Sequence, residues 1–258
     1  PLVIDLDNDG LNEIIFGDYD VDGTTGASLL YIGLSNLGAK VKTYIPNREK
    51  EGYGVSEMGI DKAGKFGADL FITCDCGINA INRVNYANEK GIDVIITDHH
   101  IPGETLPNAF SILNPKQVDC GYPFKGLCGG GVALKLLSGL VRKMGYSFDL
   151  ITDLMDLAAL GTSADLVPMK DENRVFVHYG LQTLRTTRRR SCRLPAGGSA
   201  RGAPSIRRGI TRHLVACGRC IPSTMRTRSM RCRTHRKGSA GAPRAPFRTM
   251  PTACGALA

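Results

Sequence analysis

Four short apolar runs, each followed at once by polar residues, set the pattern of the chain: Ile14-Ile15-Phe16, Val41 to Ile45, Leu70 to Thr73 and Val94 to Thr97. Runs of this length, rich in β-branched and aromatic residues and bounded by turn formers, read as buried strands. Between them the apolar spacing changes to that of helices. Thr24 to Leu37 carries Leu29, Leu30, Ile32, Leu34 and Leu37 and is stopped by Gly38, and Ile78 to Glu89 is followed by Gly91. Strand and helix alternating at this interval predict an α/β fold, a mostly parallel sheet covered by helices on both faces. Residues 47–65 are polar and Gly-rich and read as a solvated loop with a short helix, offering Lys50, Lys62 and Lys65 to phosphates. A long loop over 102–128 contains a short strand near Phe110 to Leu113. Helices are then expected over 131–144, 149–160 and 172–185, the last capped by Asp171.

Three of the strands end in the same kind of chemistry. The first runs into Gly17-Asp18-Tyr19-Asp20-Val21-Asp22-Gly23, the third into Cys74-Asp75-Cys76-Gly77, and the fourth into Asp98-His99-His100. In a parallel sheet these carboxyl ends lie along one edge, where open α/β sheets place their sites. Asp18, Asp20 and Asp22 occupy alternate positions, so an extended turn directs them to one side. So many like charges repel unless a cation sits among them, and burying them without partners is costly. Oxygen-rich ligation with an imidazole suits manganese or magnesium better than zinc. Cys74 and Cys76, pointing away from Asp75 in an extended segment, read as small buried apolar residues. Gly126, Gly129, Gly130 and Gly131 open a helix, where backbone N–H groups can approach a substrate phosphate. His178, beside Val175, Phe176 and Leu181, reads as structural.

Asp-Tyr-Asp-Val-Asp-Gly at 18–23, Asp-Cys-Gly at 75–77, Asp-His-His at 98–100 and Gly-Thr-Ser-Ala-Asp-Leu-Val-Pro at 161–168 resemble, in form and order, the successive motifs of the DHH phosphoesterases, and most of all those of the RecJ type. The resemblance covers 14–185. It implies two divalent cations, Mn2+ or Mg2+, with Asp20, Asp22, Asp75, His99 and Asp165 as ligands and Asp75 bridging. It gives Asp18 a place at or just behind the metals. Asp98 is implied to orient an imidazole, and His100 to meet either the scissile phosphate or a metal. The implied activity is hydrolysis of single-stranded DNA from its 5′ end by a cytoplasmic enzyme. Relatives acting on oligoribonucleotides, cyclic dinucleotides or pyrophosphate carry a His four residues before the first paired Asp, where this chain has Phe16.

Composition divides the chain. All 24 acidic residues lie at or before Glu172, whereas 16 Arg and 1 Lys follow residue 185, so the body carries a net −8 within an overall +9. Residues 1–13 form an acidic leader; Asp5, Asp7, Asp9 and Gly10 start like a calcium loop, but Phe16 occupies the twelfth position, where Glu belongs. Residues 186–258 lack apolar periodicity and read as a low-order basic tail. Rich in Arg, Cys, Pro and Ala and free of acids, this tail has the composition of an out-of-frame reading of a GC-rich gene, which makes a truncated, inactive product the rival reading. Its Cys217, Cys220, Cys232 and His235 have zinc-like spacing but no apolar scaffold. Pro1 in place of Met suggests an internal fragment. No signal sequence or run of about 18 apolar residues is present, so no membrane partner is expected, and the cysteines of the body read as reduced.

Overall fold

The apolar runs pair into one five-stranded, wholly parallel sheet in a computed structural model that describes residues 12–186. In chain order the elements are β1 (Asn12–Gly17), α1 (Val21–Leu37), β2 (Val41–Tyr44), α2 (Arg48–Glu51), α3 (Glu57–Phe66), β3 (Ala68–Cys74), α4 (Ile81–Glu89), β4 (Asp93–Thr97), β5 (Ser111–Leu113), α5 (Gly129–Met144), α6 (Asp149–Thr152), α7 (Met155–Ala164) and α8 (Asp171–Thr186). The strand order is β2-β1-β3-β4-β5. Registers of Ile15 with Ile72, and of Ile72 with Ile95, bring the ends of β1, β3 and β4 level.

The sheet is covered on both faces, as its unbroken apolar strands require. On one face Ile15, Ile72 and Cys74 pack with Leu30 and Leu34 of α1, Leu134 and Leu137 of α5 and Leu157 of α7. On the other, Phe16, Phe71 and Ile96 pack with Ile60 and Ala63 of α3 and with Val84 and Ala87 of α4. Alternate residues of β1 thus feed opposite cores.

The helices differ from expectation where side chains rather than periodicity set their ends. The acidic turn is not extended throughout: Asp20 caps α1 by accepting from Gly23 N at 2.8 Å, so the helix starts at Val21 and Asp22 lies in its first turn. The polar stretch 47–65 holds two helices, with α3 capped by Ser56 onto Gly59 N at 3.0 Å. The expected helix at 78–89 begins only at Ile81, and the one at 149–160 is divided into α6 and α7. Asp171 begins α8 with a left-handed φ of 46°. Among the described residues no helix is long and apolar enough to cross a membrane. The readings of the leader before residue 12, of the Arg-rich tail and of its Cys and His spacing lie outside the described residues.

Candidate metal centre

The strand order reverses its direction of growth between β1 and β3, the switch point at which sheets of this order bind ligands. Asp18 follows β1 and Asp75 follows β3 at this point. Asp18 N donates to the Cys74 carbonyl at 3.2 Å, and Asp75 N to the Thr97 carbonyl at 2.9 Å, so backbone bonds tie the three strand ends together. Asp75 has a φ of 63°, uncommon for a residue with a side chain and a sign of a locally imposed conformation. Thr73 Oγ1, donating to the Cys76 carbonyl at 2.8 Å, holds this turn from below.

Asp98 does not face the other acids as a bare charge. Its Oδ1 accepts from His99 N (2.7 Å), His100 N (3.1 Å) and His100 Nδ1 (2.7 Å), and its Oδ2 from Ile78 N (2.9 Å). Burial alone would raise its pKa, but these donors hold it below the usual carboxylate value. The same bond to Asp98 raises the His100 pKa to about 9. His100 Nε2 is thereby turned outward, where it lies 3.2 Å from the Tyr53 hydroxyl.

His99 behaves differently. Burial lowers its pKa, and Nε2 lies 3.1 Å from Asp75 Oδ1 and 3.7 Å from Asp165 Oδ2. Asp22, in the first turn of α1, is reached from 107 residues away: Gly129 N donates to Oδ2 at 2.6 Å and Gly130 N to Oδ1 at 2.9 Å. The expectation that Gly129, Gly130 and Gly131 face a substrate phosphate is corrected here. The first two amides bind the Asp22 carboxylate, the third bonds Cys128 Sγ at 3.3 Å, and all three glycines are buried. The N-terminus of α5 still serves an anion, but the anion belongs to the protein.

Three overlapping sets of ligand atoms come within 4.8 Å of one another: Asp18, Asp20 and Asp75; Asp75, His99 and His100; and Asp22, His99 and Asp165. Asp75 and His99 each belong to two sets. Burial, reinforced by Asp22 and Asp20, raises the Asp75 pKa to about 10, and burial also raises those of Asp18, Asp22 and Asp165. Asp18 Oδ1 and His99 Nδ1 are buried without a hydrogen-bond partner, and Asp75 Oδ1 and Asp165 Oδ2 are buried with only their contacts to His99 Nε2. Buried polar atoms are rarely left so, and carboxylates that cannot all ionise together fit divalent cations between them. The donor set, mostly carboxylate oxygens with imidazole, suits manganese or magnesium.

Every acid and imidazole expected at the site therefore converges there. Cys74 and Cys76 are buried, and burial pushes both thiols up. His178 lies elsewhere, 3.1 Å from Gln182 Nε2. Sequence reasoning missed Tyr53, whose signal was its place between two glycines. It also missed Asn114, which donates to the His100 carbonyl at 2.9 Å, and Asn173, which joins the Gly126 and Pro168 carbonyls at 2.7 and 3.0 Å.

The chain is 49% identical over 176 residues to the single-stranded-DNA-specific exonuclease RecJ of Bacillus subtilis, an alignment covering 68% of this chain and 22% of that protein. It is 42% identical over 188 residues to RecJ of Salmonella typhimurium, covering 69% and 32%. The chain thus spans between a fifth and a third of these relatives. Among solved structures it resembles exonuclease RecJ bound to manganese, with a TM-score of 0.63 and 38% identity over 69% of this chain and 44% of that one. A RecJ from Thermus thermophilus in complex with Mn2+ gives 0.59 and 36%, covering 69% and 25%. The model of the DHH family's N-terminal domain matches residues 12–162, more than half of the sequence, and the chain belongs to the DHH family.

Proposed function

We propose that this chain is the DHH portion of a metal-dependent phosphodiesterase that degrades single-stranded DNA from the 5′ end, as a cytoplasmic enzyme. The observation that carries the reading is the cluster of buried, under-satisfied polar atoms at the switch point: Asp18 Oδ1 and His99 Nδ1 without a hydrogen bond, and Asp75 Oδ1 and Asp165 Oδ2 sharing only His99 Nε2. Asp20, Asp22, Asp75, His99 and Asp165 would hold two cations, Mn2+ or Mg2+, with Asp75 shared and Asp18 beside them. Bound there, the ions would activate water and neutralise charge on the phosphoryl oxygens. Asp98 fixes the His100 ring through Nδ1, so that Nε2 is presented outward toward a phosphate. The α5 amides keep Asp22 in place and leave each of its oxygens a further lone pair.

The test is turnover of a simple phosphodiester, bis(p-nitrophenyl) phosphate, by purified protein. Manganese-dependent hydrolysis, abolished by Asp75→Ala, is expected; none from a correctly folded protein refutes a competent centre. Preference for 5′-labelled single-stranded DNA over dinucleotides separates the RecJ reading from a small-substrate phosphoesterase. The division at about residue 185 belongs to the same proposal: limited proteolysis should leave a resistant fragment ending near Arg185.

A further inference from the structure

The turn that carries His99 and His100 is held in shape from within and in place from outside. The bonds from His99 N, His100 N and His100 Nδ1 to Asp98 Oδ1 all close within the turn, so they fix its form and leave its tilt unset. Pairing of β4 with β5 ends at Thr97 and Leu113, closed by Asp98 N donating to the Leu113 carbonyl at 3.1 Å. Beyond that point Pro102 and Pro115, which have no N–H to give, interrupt both segments. Two side-chain amides take over where the ladder stops.

Asn114, 1% exposed, stands directly after β5. Its Nδ2 donates to the His100 carbonyl at 2.9 Å, and its Oδ1 accepts from Lys116 N at 2.8 Å. The Asn114 carbonyl in turn accepts from Gln117 N at 3.3 Å and Gln117 Nε2 at 3.1 Å, so the anchor is itself anchored. Asn79, in the turn between β3 and α4, grips the residues that follow. Its Nδ2 donates to the Ile101 carbonyl at 3.1 Å, and its Oδ1 accepts from Gly103 N at 2.7 Å. One side chain thus serves two backbone groups on alternate residues, passing over Pro102, as a neighbouring strand would. The same turn supplies Ile78 N, which donates to Asp98 Oδ2 at 2.9 Å. Each amide faces a carbonyl on one side and an N–H on the other, which settles its orientation. Asparagine serves both, whereas an ionised aspartate of the same size serves only the N–H.

We infer that Asn114 and Asn79 are positioning residues for His100, setting the tilt of its turn from the β5 side and the β3 side of β4. The inference rests on the phosphodiesterase reading for what His100 does, but its first test is independent of catalysis. Asn→Asp at either position keeps the acceptor and turns an oxygen toward the backbone carbonyl. In amide hydrogen exchange on the full-length, metal-free protein, Asn114→Asp should speed exchange at His99 and His100 about tenfold. Asn79→Asp, at an exposed position, should speed it about threefold, while the amides of Ile15 in β1 and Ile72 in β3 exchange as before. Unchanged exchange at His100 in either folded variant, or equal acceleration in β1 and β3, overturns the assignment. If Asn114→Asp fails to fold, Asn79→Asp decides by the same criterion.

Turnover of bis(p-nitrophenyl) phosphate at saturating manganese adds a readout that a merely structural role would not move. Asn114→Asp should lower kcat about tenfold when His100 is present and by less than about twofold in a His100→Ala background, because it acts through that ring. An equal loss in both backgrounds overturns the assignment. Absence of turnover in the unaltered protein condemns the metal centre alone, and exchange then decides the role of the two asparagines.

Discussion

Gly129→Ala is the sharpest perturbation of the centre that touches no ligand. A Cβ at this position would lie 2.5 Å from both Cβ and Oδ1 of Asp75 and 2.7 Å from its Cγ. Carbon atoms rest at about 3.5–4.0 Å, so roughly 1 Å must be found. Neither side yields freely. Gly129 N is bonded to Asp22 at 2.6 Å, and Asp75 N is bonded to the Thr97 carbonyl at 2.9 Å. Overpacking of this kind costs about 1–3 kcal/mol. Because the displaced groups are Asp75 and Asp22, the cost should fall on cation binding, and each 1.4 kcal/mol weakens it about tenfold. The Mn2+ dissociation constant should therefore rise about 10- to 100-fold, measured by electron paramagnetic resonance titration, with the melting temperature recorded in parallel. Gly131→Ala is the control. Its Cβ would make only ordinary contacts, 3.5–3.6 Å from Leu127, Phe176 and Cys128, and Ala favours a helix by roughly 0.5–1 kcal/mol. That variant should bind manganese as before and melt no lower. Unaltered manganese binding by Gly129→Ala, or equal damage from Gly131→Ala, would refute the reasoning.

Four further outcomes are expected. With the Asp75 pKa raised to about 10, cation binding near neutral pH displaces a proton, so manganese affinity should rise about tenfold per pH unit; a flat profile by calorimetry contradicts this. The same elevation makes the Asp75 contribution to the metal-free fold greatest below the unfolded value near 3.8 and progressively lost as pH climbs toward 10, so the rise in melting temperature on adding manganese should grow with pH. Asp98→Asn replaces the charged acceptor that raises the His100 pKa to about 9 by a neutral amide oxygen, so burial acts downward against less opposition. In nuclear magnetic resonance titrations of metal-free protein its midpoint should fall by more than a unit, and with it goes the stabilisation that is full below about 6.5 and lost through about 9. Leu166, directly after Asp165, is 68% exposed with a φ of 58°, so Leu166→Gly should relieve about 1–2 kcal/mol of strain, part of it offset by unfolded-state entropy. A melting temperature that drops in Leu166→Gly counts against strain at this position.

The strands and the acids at their ends were legible because both signals are local. A strand buried on both faces reads as an unbroken apolar run, and Asp18, Asp75 and Asp98 stand immediately beyond three such runs. The start of α1 was not legible, because Asp20 reads equally well as one more extended acid until its bond to Gly23 N is seen. The two helices in 47–65 were hidden by polarity: α3 buries only Gly59, Ile60 and Ala63 and owes its start to Ser56. The role of Gly129 and Gly130 was beyond any local pattern, since their acceptor is more than a hundred residues away.

That distant pairing bears on how the centre is built. Asp22 arrives on α1 just beyond the end of β1, Asp75 and His99 from the ends of β3 and β4, and Asp165 from the end of α7. α7 packs against α1 and α5, so Asp165 is placed by helix packing and not by the sheet. Asn173 of α8 reinforces this by holding the Pro168 carbonyl, three residues past Asp165, together with Gly126, three residues before Gly129. A single buried amide thus couples the loop that carries Asp165 to the approach of the helix that fixes Asp22. The sheet edge supplies the charges, and the layer formed by α1, α5, α7 and α8 sets the spacing at which cations can satisfy them.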